Sequence, residues 1–418
     1  MPKKLLFITT RVFWPANSGR KVSLYYYCKG LHEKYGYDVY LYTFLEADQI
    51  KEVCLEEKPE FIHSVTFASN IDKITKISNI LFKSLFGNFP LQCSLFYSKK
   101  NGTKINELCK KNNFDLILTD MIRLAPYYEF FKDYSCTKIS DMDDLLSKRY
   151  QRTLSSEDAG DNILGQYSKF LPNFINKNIL PLVKGSVLKF EIERLKNAEE
   201  YYSNLYDGVI FVSDAETEEL NKRLVAPKCQ TITLGVDFQY FSEKNEVNNN
   251  KNYLAFVGNF GYTPNVDSLK IIVNELLPKL KDEIKLLVIG KVSQEITSLY
   301  ETDRVIFVGM VDDLRKYVKR ASVFVCPIAY GSGIKTKILE AMAMGLPVVT
   351  NSIGGEGLAA INGKDYIITD DFDDMANKIS ELISDDNLRK YIGENGSEYV
   401  RKYHQWETVY KQFKYFNL

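Results

Sequence analysis

Three observations predict an α/β protein built from two doubly wound domains. Short apolar runs alternate with helical patterns along the whole chain, the runs outnumber the strands of a usual single sheet, and a polar stretch splits them into two series. The first series is Leu5–Thr9, Val39–Phe44, Phe61–Phe67, Leu116–Thr119 and Val209–Ser213. The second is Leu254–Gly258, Leu286–Gly290, Val305–Gly309, Val323–Pro327, Val348–Thr350 and Tyr366–Thr369. Such runs suit strands buried on both faces of a parallel sheet, with the intervening helices as crossovers. Between the series lies Ser242–Asn252, with three consecutive asparagines, in the place of a linker. The expected organisation is a first domain over 1–235, a second over 236–400, and a C-terminal helix over 401–418 packing back on the first.

Composition agrees with two folded cores and narrows the partners. A chain of 418 residues exceeds one typical domain, and 45% hydrophobic with 26% charged residues marks it as globular. Lys+Arg and Asp+Glu both number 54, so no net field favours nucleic acid. The seven cysteines, at 28, 54, 93, 109, 136, 229 and 326, form no CxxC pair, which argues against a disulfide framework or structural zinc and fits a reducing cytoplasm. The apolar run of MPKKLLFITTR ends at Thr9, too short for a signal or spanning segment, and no other run is long enough to span.

The densest signal is the segment Gly331-Ser332-Gly333-Ile334-Lys335-Thr336-Lys337-Ile338-Leu339-Glu340-Ala341-Met342-Ala343-Met344-Gly345-Leu346-Pro347-Val348-Val349. It joins a glycine loop at the carboxyl end of a predicted strand to a helix and then to another strand. Backbone N–H groups at that helix start point at an anion, and Lys335 and Lys337 add charge, so the loop suits a diphosphate. Glu340 lies about one turn into the helix, where a carboxylate suits the hydroxyls of a ribose. An ordinary strand-to-helix turn with solvated lysines and a solvated Glu340 remains open on these residues alone. In the first domain, the strand ending at Thr9 runs into Arg11-Val12-Phe13-Trp14-Pro15-Ala16-Asn17-Ser18-Gly19-Arg20, whose Gly19 lets backbone approach a ligand closely or simply makes a turn.

Further motifs carry a family resemblance: Gly235-Val236-Asp237 followed by Phe241, Phe256-Val257-Gly258-Asn259-Phe260 with Pro264-Asn265, Gly309-Met310-Val311-Asp312-Asp313-Leu314, and the glycine loop through Pro347. In this order they resemble the retaining nucleotide-sugar glycosyltransferases of the GT-B fold, family four, with its glycosyl transferases group one domain. Asp141-Met142-Asp143-Asp144-Leu145-Leu146-Ser147 and the acidic stretch Glu191–Glu200 resemble a subgroup serving bacterial surface-polysaccharide assembly. The alternative for the clustered aspartates is helix N-capping.

The resemblance implies a hexosyl transfer from a nucleoside-diphosphate sugar to a glycan or lipid-linked acceptor, with retention and in an interdomain cleft. It implies donor contacts at Gly258, Asn259, Ser332, Gly333, Lys335, Thr336 and Lys337, ribose binding by Glu340, the base beside the Gly309–Val311 turn, and Gly19 closing over the phosphates. Three departures accompany it. Ser332 stands where the family has a first glutamate, the Arg and Lys usual after the first strand of the second domain are missing from Phe260-Gly261-Tyr262, and Asp120 stands where a cleft histidine is usual. Asp120 is therefore the expected catalytic carboxylate, facing the acceptor or the oxocarbenium-like centre. His32, His63 and His404 are expected as surface or helix residues.

A leaving diphosphate neutralised by a helix start and two lysines needs no metal and no cofactor, so metal-independent chemistry is expected. The run Asp370-Asp371-Phe372-Asp373-Asp374 opens a predicted helix and suits capping better than a metal. Ile80–Phe89 and Phe170–Lys189 mix large apolar groups with lysines, a composition fitting a membrane surface or equally a core. The expected location is cytoplasmic, at the inner face of a membrane if those stretches meet lipid. Ser332 and the missing histidine keep a second reading open, a catalytically silent nucleotide-sugar-binding partner of another transferase. A GT-B phosphorylase or epimerase has no supporting local motif.

Overall fold

The computed structural model describes residues 2–16, 19–53, 55–155, 180–243, 250–331 and 333–418. Two compact units result: Met1–Ile232 together with Gln412–Leu418, and Thr233–Lys411.

The first unit holds seven strands: β1 (Lys3–Thr9), β2 (Tyr37–Thr43), β3 (Ile62–Phe67), β4 (Leu116–Asp120), β5 (Thr137–Asp143), β6 (Gly208–Phe211) and β7 (Cys229–Thr231). They lie in the order β3-β2-β1-β4-β5-β6-β7, all parallel. Leu5, Leu6, Phe7, Ile8 and Thr9 of β1 are all fully buried, which a central strand covered by helices on both faces requires. One continuous core joins Leu6, Ile8, Ile105, Ile117, Leu195 and Phe211. The helix Gly19–Tyr35 carries the chain from β1 to β2, and Leu180–Leu205 lies between β5 and β6.

Two strands were not among the expected runs. β5 reads Thr-Lys-Ile-Ser-Asp-Met-Asp and lacks an apolar run, although Lys138 to Met142 are buried. β7 is three residues at the sheet edge. The alternative of helix capping fails for Asp141 and Asp143, which lie in β5.

The second unit holds β8 (Tyr253–Val257), β9 (Lys285–Ile289), β10 (Val305–Gly309), β11 (Val323–Cys326), β12 (Val348–Thr350) and β13 (Ile367–Ile368). Their order is β10-β9-β8-β11-β12-β13, again all parallel. The helices Thr336–Ala343 and Phe372–Ser384 both pack on Asp386–Tyr403. Asp371 caps Phe372–Ser384, accepting from the backbone N–H of Asp373 and Asp374. His404 is buried rather than exposed, bonding the Leu234 carbonyl and the Tyr399 hydroxyl, because it ties the first residues of this unit to its last long helix. Of the 401–418 segment, residues up to Lys411 belong to this unit, while Gln412–Leu418 fold with the first.

Strand order reverses between β1 and β4 in one unit and between β8 and β11 in the other. Doubly wound sheets bind ligands beyond the carboxyl ends of strands at such reversals.

Candidate functional site

At the β8/β11 reversal the second unit brings together most of the residues that the sequence singles out. Gly258 and Asn259 follow β8, and the loop holding Gly333 and Lys335 follows β11. Gly290, after β9, has φ +130, and a Cβ there would lie 2.0 Å from the Gly258 carbonyl oxygen, so the strand ends approach as only glycine allows. Asn265 joins the two loops: its amide donates to the Asn259 carbonyl at 2.8 Å and accepts from Lys337 Nζ at 2.6 Å. The Lys337 ammonium also sits 4.8 Å from the centroid of the Phe256 ring.

The loop after β11 is shaped from behind by Asn351, which accepts from the N–H of Ile328 and of Gly354 and donates to the Ile328 carbonyl. Gly333 has φ +72, and its carbonyl accepts from Lys335 Nζ at 2.5 Å. Lys335 is the N-cap of the helix Thr336–Ala343, and its own side chain does not cap that helix start. The N–H of Ile338 donates to the Lys335 carbonyl, whereas those of Thr336 and Lys337 have no acceptor among the described residues, and such free amides at a helix start can bind an anion. Ser332 lies outside the described residues.

Glu340 lies on the same helix, partly buried. Burial pushes its carboxyl up to about 7, against the opposing pull of the Lys337 charge. Among the described residues its carboxylate has no hydrogen-bond partner, so a partly buried acceptor pair is open to hydroxyl donors. Asn265 and Asn351 were not singled out as site residues; Asn265 stood in the quoted Pro264-Asn265 motif, whereas Asn351 has no local signal.

Asp120, the expected catalytic carboxylate, lies in the first unit. It is fully buried at the end of β4, accepting from Thr9 Oγ1 at 2.9 Å and from Arg20 Nη2 at 3.0 Å, with Arg11 Nε at 3.6 Å. Arg20 also meets Asp143 at 3.0 Å and Asp141 at 2.7 Å. Burial disfavours the charged Asp120 carboxylate, but Arg20 and Arg11 outweigh it and hold the group below the usual carboxylate range. Asp141 faces the same arginine with two carboxylate neighbours, and there burial wins, pushing it up to about 7. The backbone is strained at both strand ends, with φ +67 at Met121 and +66 at Asp143.

Beside this cluster opens a pocket of about 590 Å³, lined among others by Arg11, Trp14, Gly19, Arg20, Phe44 and Lys76. Its size is that of a small-molecule site. Asp120 does not line it; the charges presented there are those of Arg11 and Arg20, with Asp120 behind them. Gly19, at φ +30 on the first turn of its helix, is on the wall.

Residues 251–385, which span the strands β8 to β13 and the glycine loop, match the profile of the glycosyl transferases group 1. The likeness to that group is confined to this segment. Relatives of the group 1 domain extend the likeness unevenly. An uncharacterised 44.6 kDa protein of the cps region of Klebsiella pneumoniae is 23% identical over 97% of this chain and 98% of its own. The capsular polysaccharide biosynthesis glycosyltransferase CapM of Staphylococcus aureus is 30% identical, over 36% of this chain and 40% of its own. An uncharacterised glycosyltransferase of Methanocaldococcus jannaschii is matched over 53% of its length, so the chain spans about half of that relative. Among solved structures, Anabaena HepE in complex with UDP has a TM-score of 0.67 at 14% identity, covering 98% of both chains. Sucrose-phosphate synthase of Thermosynechococcus elongatus has 0.69 at 19%, covering 98% and 97%. At such identities the likeness is one of fold, and the two doubly wound units are those of the GT-B fold.

Proposed function

We propose that this protein transfers a hexosyl group from a nucleoside-diphosphate sugar to a glycan or lipid-linked acceptor in surface-polysaccharide assembly. The observation that carries the reading is the meeting, at the β8/β11 reversal, of the start of the helix Thr336–Ala343, Lys337, and Glu340, whose carboxylate has no hydrogen-bond partner among the described residues. The diphosphate lies against Gly258, Asn259, Gly333 and the first turn of Thr336–Ala343, with Lys335 and Lys337 neutralising charge that grows as the sugar leaves. Glu340 accepts from the two ribose hydroxyls. UDP, which Anabaena HepE holds, is the first nucleotide to test.

The acceptor lies in the first unit's pocket. Trp14 and Phe44 offer apolar ring surface to the C–H faces of a sugar, and Arg11 and Lys76 offer donors to its oxygens. Asp120 acts through Arg20 and Arg11, as a positioning residue. Retention, independence of metal and a cytoplasmic location belong to the same proposal and are supported by the family resemblance.

The test is a thermal-shift series with UDP, GDP, ADP and CMP on the wild type and on Glu340→Ala. One nucleoside diphosphate is expected to raise the wild-type Tm, and loss of the charged acceptor to weaken its binding roughly tenfold to a hundredfold. No shift with any nucleotide sinks the proposal. Binding without transfer or hydrolysis of the matching nucleotide sugar favours the silent-partner reading.

A further inference from the structure

The Lys337 charge sits on a flexible four-carbon stem, and a strongly hydrated ammonium is fixed in one place only where its surroundings offset the freedom it loses. Here it is held from two sides. Asn265 Oδ1 accepts from Nζ at 2.6 Å, and the ring of Phe256, a fully buried residue of β8, has its centroid 4.8 Å away. Both holders are neutral. Among the described residues no carboxylate is in ion-pair contact with the ammonium, and Glu340, further along the same helix, feels its charge without pairing with it.

Asn265 is itself fixed at each end. Its Nδ2 donates to the Asn259 carbonyl at 2.8 Å, and its backbone N–H donates to the Tyr262 carbonyl at 3.0 Å as the helix Thr263–Ile271 begins. Turning the amide over would set its NH2 against the ammonium and its oxygen against a carbonyl, so the two neighbours decide which way it points. Gly258 makes room for it, since a Cβ there would lie 3.0 Å from Asn265 Cγ and 3.2 Å from Asn265 Cβ. One buried side chain thus ties the loop after β8 to the ammonium from the helix after β11.

The neutrality of the holder matters for the chemistry. A carboxylate in this place would fix the ammonium and cancel its charge, whereas an amide fixes it and leaves the charge to act on a second anion. When a sugar leaves a diphosphate, negative charge grows on the diphosphate, and a cation already in place stabilises it without reorganising. We propose that Asn265 is a positioning residue for Lys337, holding the ammonium beside the loop Gly258–Asn259 with its charge uncancelled so that it meets the diphosphate of the donor there. This role rests on the reading of the β8/β11 reversal as a diphosphate site.

The test is a double-mutant cycle of Asn265→Leu and Lys337→Met on the full chain, read by calorimetric titration with inorganic pyrophosphate, which needs no base to be recognised. Asn265→Leu is expected to weaken pyrophosphate binding about tenfold in the wild-type background and less than about twofold beside Lys337→Met, because its effect passes through the ammonium. Asn265→Asp keeps the size and the acceptor, and it too is expected to lose about tenfold, since it cancels the charge that it holds. Asn265→Ala takes the place of Asn265→Leu in the cycle if that variant does not fold. Equal losses in the two backgrounds make Asn265 a brace of the loop alone; they overturn the proposal and leave the transferase reading intact. Asn265→Asp with wild-type affinity does the same. A wild type that binds neither pyrophosphate nor UDP, GDP or ADP removes the diphosphate site, and this role with it.

Discussion

Glu340 is a carboxyl whose protonation is set against its proposed role, and that conflict is measurable. Its folded value, about 7, lies above the ordinary 4.5, so the native state holds the proton more tightly than the unfolded chain does. Stability is therefore intact below about 4.5, falls as pH rises towards 7, and levels off beyond it. Glu340→Gln removes this penalty, and urea denaturation is expected to find the variant about 1–3 kcal/mol more stable relative to wild type above pH 7 than under acid conditions. Ribose hydroxyls donate to the ionised carboxylate, so the nucleotide-induced Tm shift of the wild type should grow through pH 7 more than that of Glu340→Gln. A difference between the two proteins that is flat with pH counts against ribose binding there. This residue was legible because the loop, the lysines and the carboxylate follow one another within ten positions. Asn265 and Asn351 act through bonds to distant loops, and sequence spacing carries no trace of that.

Elements in the first unit are joined by charge at a place where apolar pattern alone fails. Arg20, at the start of the helix Gly19–Tyr35, meets Asp120 of β4 and Asp141 and Asp143 of β5. That is why β5 was invisible as a strand: its inward positions are filled by aspartates whose partner comes from a helix more than a hundred residues earlier. β1, β2 and β4 carry the usual apolar runs and were plain. Deleting the guanidinium in Arg20→Ala removes the cation that the three carboxylates share and leaves Asp120 with Arg11 alone, and the expected cost is about 3–5 kcal/mol in urea denaturation at neutral pH. The cost should shrink as pH falls, because the orphaned carboxyls then protonate. An equal loss at neutral and acid pH would mean that Arg20 contributes packing and not charge. Glu191 shows the same limit of local reading, since the helix Leu91–Phe96 begins after Pro90, which offers no side-chain cap, and takes its acceptor from a residue 100 positions away.

For the molecule as a whole, the path of the chain decides which part each end stabilises. The polypeptide leaves the first unit at Ile232, builds the whole second unit, and returns at Gln412 for its last seven residues. Those residues are anchored by aromatic side chains: Phe413 is buried with its ring 5.4 Å from Tyr27 and 6.5 Å from Tyr35. The Phe416 ring lies where a Cβ on Gly208 would be, 2.5 Å away, so the first residue of β6 is glycine to admit it. The tail therefore completes the core of the first unit, although Glu340, Lys335 and Lys337 of the proposed nucleotide site lie in the second. Ending the chain at Lys411 is expected to destabilise the first unit by about 3–5 kcal/mol, the scale of removing a buried phenylalanine. In calorimetry the truncated protein should show one transition moved down and the other, raised by nucleotide, unmoved. Tyr27, on the helix that also carries Arg20, loses the Phe413 ring in that truncation. If truncation lowers both transitions together, the two units unfold as one cooperative body, and the tail's contribution cannot be assigned to the first alone.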